Sequence, residues 1–172
     1  MILRTEETKD YQDVYTLNYK AFGGRDDESR LIERIRSSEF FVPELSIVAE
    51  LDGKIAGHIL FSKANVIDDE KNHEVIVLAP VAVEPGLQRK GIGSKLIQEG
   101  LYRCKGLGYG VVLLIGHPEY YLKFGFKPAR QFEFELRQFE VPDDVFMVCE
   151  IYEGVLRSTK GELIYPEAFI TG

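Results

Sequence analysis

Residues 88 to 94, Gln88, Arg89, Lys90, Gly91, Ile92, Gly93 and Ser94, place two glycines one residue apart beside two cations. Ahead of a helix, such a stretch holds an anion. The glycines let an oxyanion reach the backbone, and the N–H groups of the first helical turn have no carbonyl of their own to meet. The spacing excludes the two best-known versions of this device. A P-loop requires Gly-Lys-Ser/Thr at its end, and the register from Gly86 to Gly91 puts Ile92 where the lysine belongs. A dinucleotide fingerprint requires a third glycine, and Leu96 follows Gly91 and Gly93 instead. What remains is a diphosphate gripped by main chain, with Arg89 and Lys90 at the rim, rather than by a lysine and magnesium. No metal is expected. Cys104 and Cys149 are far apart in sequence and read as small core residues, so neither a zinc site nor a redox pair is indicated.

Such a loop works only if a strand delivers the chain to it and a helix leaves it. Residues 74 to 83, Glu74 to Val83, form a long apolar, β-branched run that predicts a central strand buried on both faces. Pro80 lies inside it and cannot donate to a ladder, so the strand is expected to bulge or splay there. That leaves main-chain groups of Val81, Ala82 and Val83 for another partner. From Gly91 onward Ile92, Leu96, Ile97, Leu101 and Cys104 recur at helical spacing, until Gly106 and Gly108 end the segment.

Upstream, residues 10 to 22 and 27 to 38 read as two helices, with Tyr11, Val14, Leu17 and Ala21 on one face of the first and Leu31, Ile32 and Ile35 inward on the second. Residues 45 to 62 read as a hairpin turning at Asp52-Gly53, and 68 to 73 as a polar loop. Downstream come a buried strand over 109 to 116, a short helix over 118 to 124 opened by Pro118, and aromatic-rich strands over 126 to 136 and 143 to 152. The order is α-α-β-β-β-α-β-α-β-β. Residues 1–172 are thus expected to make one mixed α/β domain, a length that buries a full core unaided.

The run from Val81 to Ile97 resembles the acetyl-CoA signature of the GNAT N-acetyltransferases, Gln/Arg-x-x-Gly-x-Gly/Ala, at Gln88, Gly91 and Gly93. Residues 118 to 129 resemble a later motif of the same family, in which a tyrosine stands four residues before a Gly-Phe pair, here Tyr121 before Gly125 and Phe126. The wider frame is similar to the YhbS-like branch. The resemblance implies the acyl-CoA N-acyltransferase fold: a central, mostly antiparallel mixed sheet with one parallel, splayed strand pair, flanked by helices. It implies acetyl-CoA, with coenzyme A as product, bound along Val81, Ala82 and Val83, over Gln88 to Ser94, and against Tyr121 and Phe124. It further implies that Tyr121 protonates the departing thiolate, since a phenol of pKa ~10 keeps its proton at neutral pH. Tyr120, about 100° round a helix from Tyr121, cannot share its direction and makes a natural control.

The proton acceptor is less defined. Relatives of this kind carry a carboxylate in the strand that here reads Val75 to Ala79, which is wholly apolar. Glu84 past that strand, Glu28 in the helical region that borders the acceptor pocket, and His117 before the short helix are the candidates. Glu74 and His58 are weighed beside them, and each also reads as a solvated charge or a hydrogen-bonded structural histidine.

The resemblance makes the acceptor a primary amine of a small molecule or of a protein. A net charge of −7 argues against nucleic acid as a partner. The absence of a long apolar run and of a signal-like N-terminus points to the cytoplasm and away from a membrane. A monomer or a homodimer is expected. The alternative to an enzyme is a module that binds acyl-CoA as a sensor without transferring the acyl group.

Overall fold

The computed structural model describes residues 1–170. Among them, strands β1 (Ile2–Thr5), β2 (Phe41–Leu51), β3 (Lys54–Asp68), β4 (Lys71–Val83), β5 (Val111–Ile115), β6 (Phe126–Pro128), β7 (Phe134–Glu135), β8 (Phe146–Glu150) and β9 (Gly161–Ile164) form one sheet. Helices α1 (Tyr11–Ala21), α2 (Asp27–Arg36), α3 (Ile92–Gly106) and α4 (Pro118–Tyr121) flank it. The strand order is β1-β2-β3-β4-β5-β8-β6, with β9 on the far end of β3 and β7 on β9. All pairs are antiparallel except β4 with β5 and β7 with β9. This is the mixed sheet expected, mostly antiparallel with a parallel pair in the middle.

Alternation along β3 and β4 sorts side chains to two cores. Ile59, Phe61, Ile76 and Leu78 meet Ile92, Leu96, Ile97 and Cys104 of α3. On the opposite face Val48 and Leu60 meet Val14 of α1 and Ile32 and Ile35 of α2, while Val75 and Val77 meet Phe134, Phe146 and Leu163. Two glycines set the height of α3 above the sheet. A Cβ on Gly100 would stand 1.9 Å from the Phe61 ring, and one on Gly57 2.9 Å from Ile92, so helix and strand touch almost backbone to side chain.

The middle of the sheet is open, as Pro80 leads one to expect. β3 and β4 pair Ile59 with Val81 and Phe61 with Leu78, so β4 spends an extra residue across Ala79 and Pro80 and bulges. On its other edge β4 meets β5 only at Ile76–Val112 and Val77–Leu113. Beyond those pairs the strands part, although β4 continues to Val83 and β5 to Ile115.

Four segments differ from expectation. β1 and β9 come from short, mixed runs with no clear alternation and gain their order from the neighbours they pair with. The run from 126 to 136 is not one strand: Pro128 leads into a 3₁₀ turn over Ala129–Phe132, and Glu133 adopts a left-handed φ of 68° before β7 begins. The loop at 68 to 73 is also tighter than its polarity suggests, because β3 runs to Asp68 and β4 restarts at Lys71, with Asp69 at φ 54°.

Candidate functional site

After Val83 the chain makes a 3₁₀ turn over Pro85–Leu87 and enters α3 through Gly91, whose φ of 87° only glycine adopts without strain. Gln88 pins the turn by donating from Nε2 to the Val83 carbonyl at 3.3 Å. The first amide here to find a helical acceptor is that of Lys95, on Gly91 O at 3.1 Å. The amides of Gln88 to Ser94 have no acceptor among the described residues. They converge on the positive end of a fifteen-residue helix, so a negative group is the partner that satisfies both hydrogen bonds and dipole. Arg89, itself at φ 64°, adds a full charge and is in no ion pair among the described residues.

A pocket of about 440 Å³ collects this polarity. It is lined by Val83, Gln88, Arg89, Gly91, Ile92, Gly93 and Ser94 from the loop, and by Tyr120 and Lys123 from the α4 region. Most of the loop residues expected to bind the anion are thus brought together. Lys90 lies outside the lining, and Ala82 is buried with its main chain laddered to His58. Because the Glu84 amide donates to Ala56 on β3, strand alternation turns Val81 and Val83 the other way, toward the edge that β5 has left.

Tyr121 stands on the far side of that opening. Its ring covers the end of β5, 2.5 Å from where a Cβ on Gly116 would be, and packs edge-on to Phe126 at 5.7 Å. Burial, and secondarily Tyr120, push its pKa up to about 12, so the phenol keeps its proton at any physiological pH. The hydroxyl has no hydrogen bond and is not sealed from solvent. Phe124 packs edge-on to Tyr120 at 5.4 Å. Tyr120 is the surprise: its ring is at 83° to that of Tyr121, and its hydroxyl reaches to 3.1 Å from where a Cβ on Gly93 would be. Helical geometry does separate the two tyrosines, but the direction it gives Tyr120 is into the loop pocket. The spacing Tyr120 to Lys123, one helical turn, was the signal for both residues.

The proton-acceptor candidates do not converge. Glu84 turns away from the opening to Lys20 of α1, at 2.6 Å, and borders a separate cleft of about 710 Å³ with Asp13, Thr16 and Asp52. Glu28 lines a groove of about 310 Å³ with Asp26, Leu31 and Phe169, and its Oε1 is buried without a partner. His117 is exposed at the start of α4 and uses only its carbonyl, as acceptor for the Tyr120 and Tyr121 amides. His58 is fully buried in a different network and belongs to the architecture, not the opening. Among the described residues no cluster of His, Cys, Asp and Glu could hold a metal, and no helix is long and apolar enough to cross a membrane.

A sheet parted between two parallel strands, with unpaired loop amides at its mouth, offers an extended ligand a slot and its anionic end a set of donors. The chain belongs to the acetyltransferase (GNAT) family, which residues 11–126 match. It is 33% identical over 123 residues to the uncharacterized N-acetyltransferase YjhQ of Escherichia coli K12, spanning 72% of this chain and 67% of that one. It is 28% identical to the uncharacterized N-acetyltransferase YhbS of the same organism, over 98% of both chains. A crystal structure of Escherichia coli YhbS in complex with CoA superposes with a TM-score of 0.90 over 99% of this chain and 92% of that one, at 27% identity. A GNAT family acetyltransferase from Brucella melitensis in complex with acetyl-CoA superposes at 0.78, with 28% identity over 98% and 97% of the two chains.

Proposed function

We propose that residues 1–172 act as one cytoplasmic domain that moves an acetyl group from acetyl-CoA to a primary amine of a small molecule or protein, by direct attack in a ternary complex. The observation that carries the reading is the run of unpaired amides from Gln88 to Ser94 beside the parted β4 and β5. It fits a diphosphate at the loop and an extended amide-bearing arm along Val81 and Val83. The complexes of the relatives with CoA and acetyl-CoA support the same assignment.

Acetyl-CoA supplies the activated thioester; the chain supplies position and protons. The loop and the free edge of β4 fix the acyl donor, which removes the entropy of finding it from the reaction step. Tyr121 hydrogen-bonds the sulfur as charge develops there and delivers the proton that the thiolate takes up, and it recovers one through solvent as the nitrogen that forms the amide bond releases its own. With its pKa near 12 it remains the protonated form throughout the working range. The acceptor nitrogen must arrive neutral. The apolar core stretch Val75, Ile76, Val77 and Leu78 offers no carboxylate, and Glu84 is held by Lys20, so proton loss runs to water. The rate with a simple alkylamine of pKa ~10.4 should therefore climb about tenfold per pH unit from 7 to 9.

The test is steady-state thiol release from acetyl-CoA against a panel of amines, for wild type and Tyr121→Phe. We expect turnover in wild type and a loss of ~10²-fold or more in the variant, with coenzyme A affinity held. Coenzyme A binding without turnover on any amine would instead make the chain an acyl-CoA sensor, and equal turnover in both proteins would return Tyr121 to the core.

A further inference from the structure

The phosphate pocket has two walls, and the loop motif accounts for only one. The other is built by Tyr120 and Lys123. Lys123 is exposed, forms no ion pair among the described residues, and rests its ammonium 4.3 Å from the centre of the Tyr120 ring. Several of the cations elsewhere in this acidic chain are engaged. Arg4, Lys20, Arg36, Arg103 and Arg130 are each drawn onto a carboxylate. Lys123 and Arg89 are left free on the same pocket.

Tyr120 is poised in the same sense. Its hydroxyl has no hydrogen bond, although it reaches the first turn of α3, where the amides of Gly93 and Ser94 are also unpaired. A side chain at Gly93 would press on this hydroxyl at 3.1 Å. Gly93 is therefore small for two reasons: it admits an anion to the backbone, and it admits a phenol beside that anion. Two donors of different kind, a main-chain turn and a tyrosine, then share one acceptor, and a cation seated on the tyrosine face balances its charge.

We infer that Tyr120 and Lys123 are binding residues for the diphosphate of the acyl donor, Tyr120 by donating its hydroxyl and Lys123 as the second cation of the pocket beside Arg89. The assignment rests on the coenzyme A reading above. It also gives the adjacent tyrosines separate tasks, Tyr120 in holding the donor and Tyr121 in the chemistry, and it removes Tyr120 from service as an inert control.

The experiment is calorimetric titration of the full chain with coenzyme A and with dephospho-coenzyme A, which keeps the diphosphate and lacks the ribose 3′-phosphate. Wild type, Tyr120→Phe, Lys123→Met and Lys123→Arg are compared at two salt concentrations. We expect Tyr120→Phe and Lys123→Met each to weaken both ligands by about tenfold, as a lost hydrogen bond or contact to a charged group does. Lys123→Met should also flatten the salt dependence, and Lys123→Arg should restore it. A purely structural role would move neither the salt dependence nor the two ligands in parallel. Unchanged affinities in the variants, with wild type binding both ligands, overturn this inference and leave the coenzyme A reading intact. A loss confined to coenzyme A also overturns it, by placing Lys123 on the ribose phosphate. Wild type binding neither ligand overturns the coenzyme A reading, and this inference with it.

Discussion

Two polar regions of the molecule are built on opposite terms. At the N-terminal edge, Glu6 is buried and accepts from Arg36 at 2.5 Å and from the Ser46 hydroxyl at 2.9 Å. Ser46 in turn lies 3.0 Å from His58 Nε2, and the Arg36 guanidinium stacks on Tyr11 at 3.8 Å. A carboxylate only accepts, so the serine proton goes to Glu6 and a neutral, Nε2-protonated His58 donates to the serine. Polarity is mostly consumed there, joining α2, β2 and β3, with only His58 Nδ1 of the histidine left without a partner. At the mouth of β4 and β5 the reverse holds: amides, a tyrosine hydroxyl and two cations are left without partners. The first region contains a serine, a histidine and a glutamate whose side chains are buried and bonded to one another. The second contains mostly backbone and is the site proposed for the ligand. Residue type alone would rank them the other way.

The contrast can be broken most forcefully at Glu6. Glu6→Ala leaves Arg36 buried without its counter-charge and should cost about 3–5 kcal/mol in urea unfolding. Glu162→Ala, which releases the exposed Arg137, should cost at most about 1 kcal/mol. Comparable losses in the two variants would mean the edge network is ornamental.

His58 sharpens the comparison through pH. Burial first, and then the charge of Arg36, hold its pKa down to about 3, against a smaller opposing effect of Asp10. The unfolded chain takes up this proton near pH ~6.5 and the folded chain only near 3, so the unfolded state binds more protons between those values. Stability is therefore full above ~6.5 and falls as the medium acidifies, by about 1.4 kcal/mol per pH unit from this group. Unfolding free energies of wild type and His58→Asn at pH 7, 6 and 5 should converge as pH falls, and parallel lines would refute the assignment.

The open region should respond in binding rather than stability. Gly91→Val or Gly93→Val is expected to weaken coenzyme A by about tenfold or more, while circular dichroism stays that of wild type. Unchanged calorimetric affinity in both variants would move the anion elsewhere.

How far the sequence carried this picture depended on the range of the interaction. The anion loop was legible because glycine spacing, strand and helix are all local, and Pro80 announced the parting of β4. Glu84 was not legible, since its partner Lys20 lies 64 residues away and nothing near position 84 foretells it. The position of Tyr120 was not legible for a subtler reason: its angle from Tyr121 follows from helical geometry, but which of the two directions faces the loop is set by how α4 docks beside α3. The strands β1 and β9 depend on sheet neighbours in the same way.

The parting of β4 and β5 also has a mechanical side. Across that seam the sheet is stitched by two residue pairs, whereas β3 and β4 are laddered along most of their length. One flank carries β1 to β4 and the other β5, β8 and β6, and those two residue pairs are the ladder between β4 and β5 that joins them. A donor molecule lying in it would act as a rivet between the flanks, and the energy of binding would reappear as resistance to unfolding.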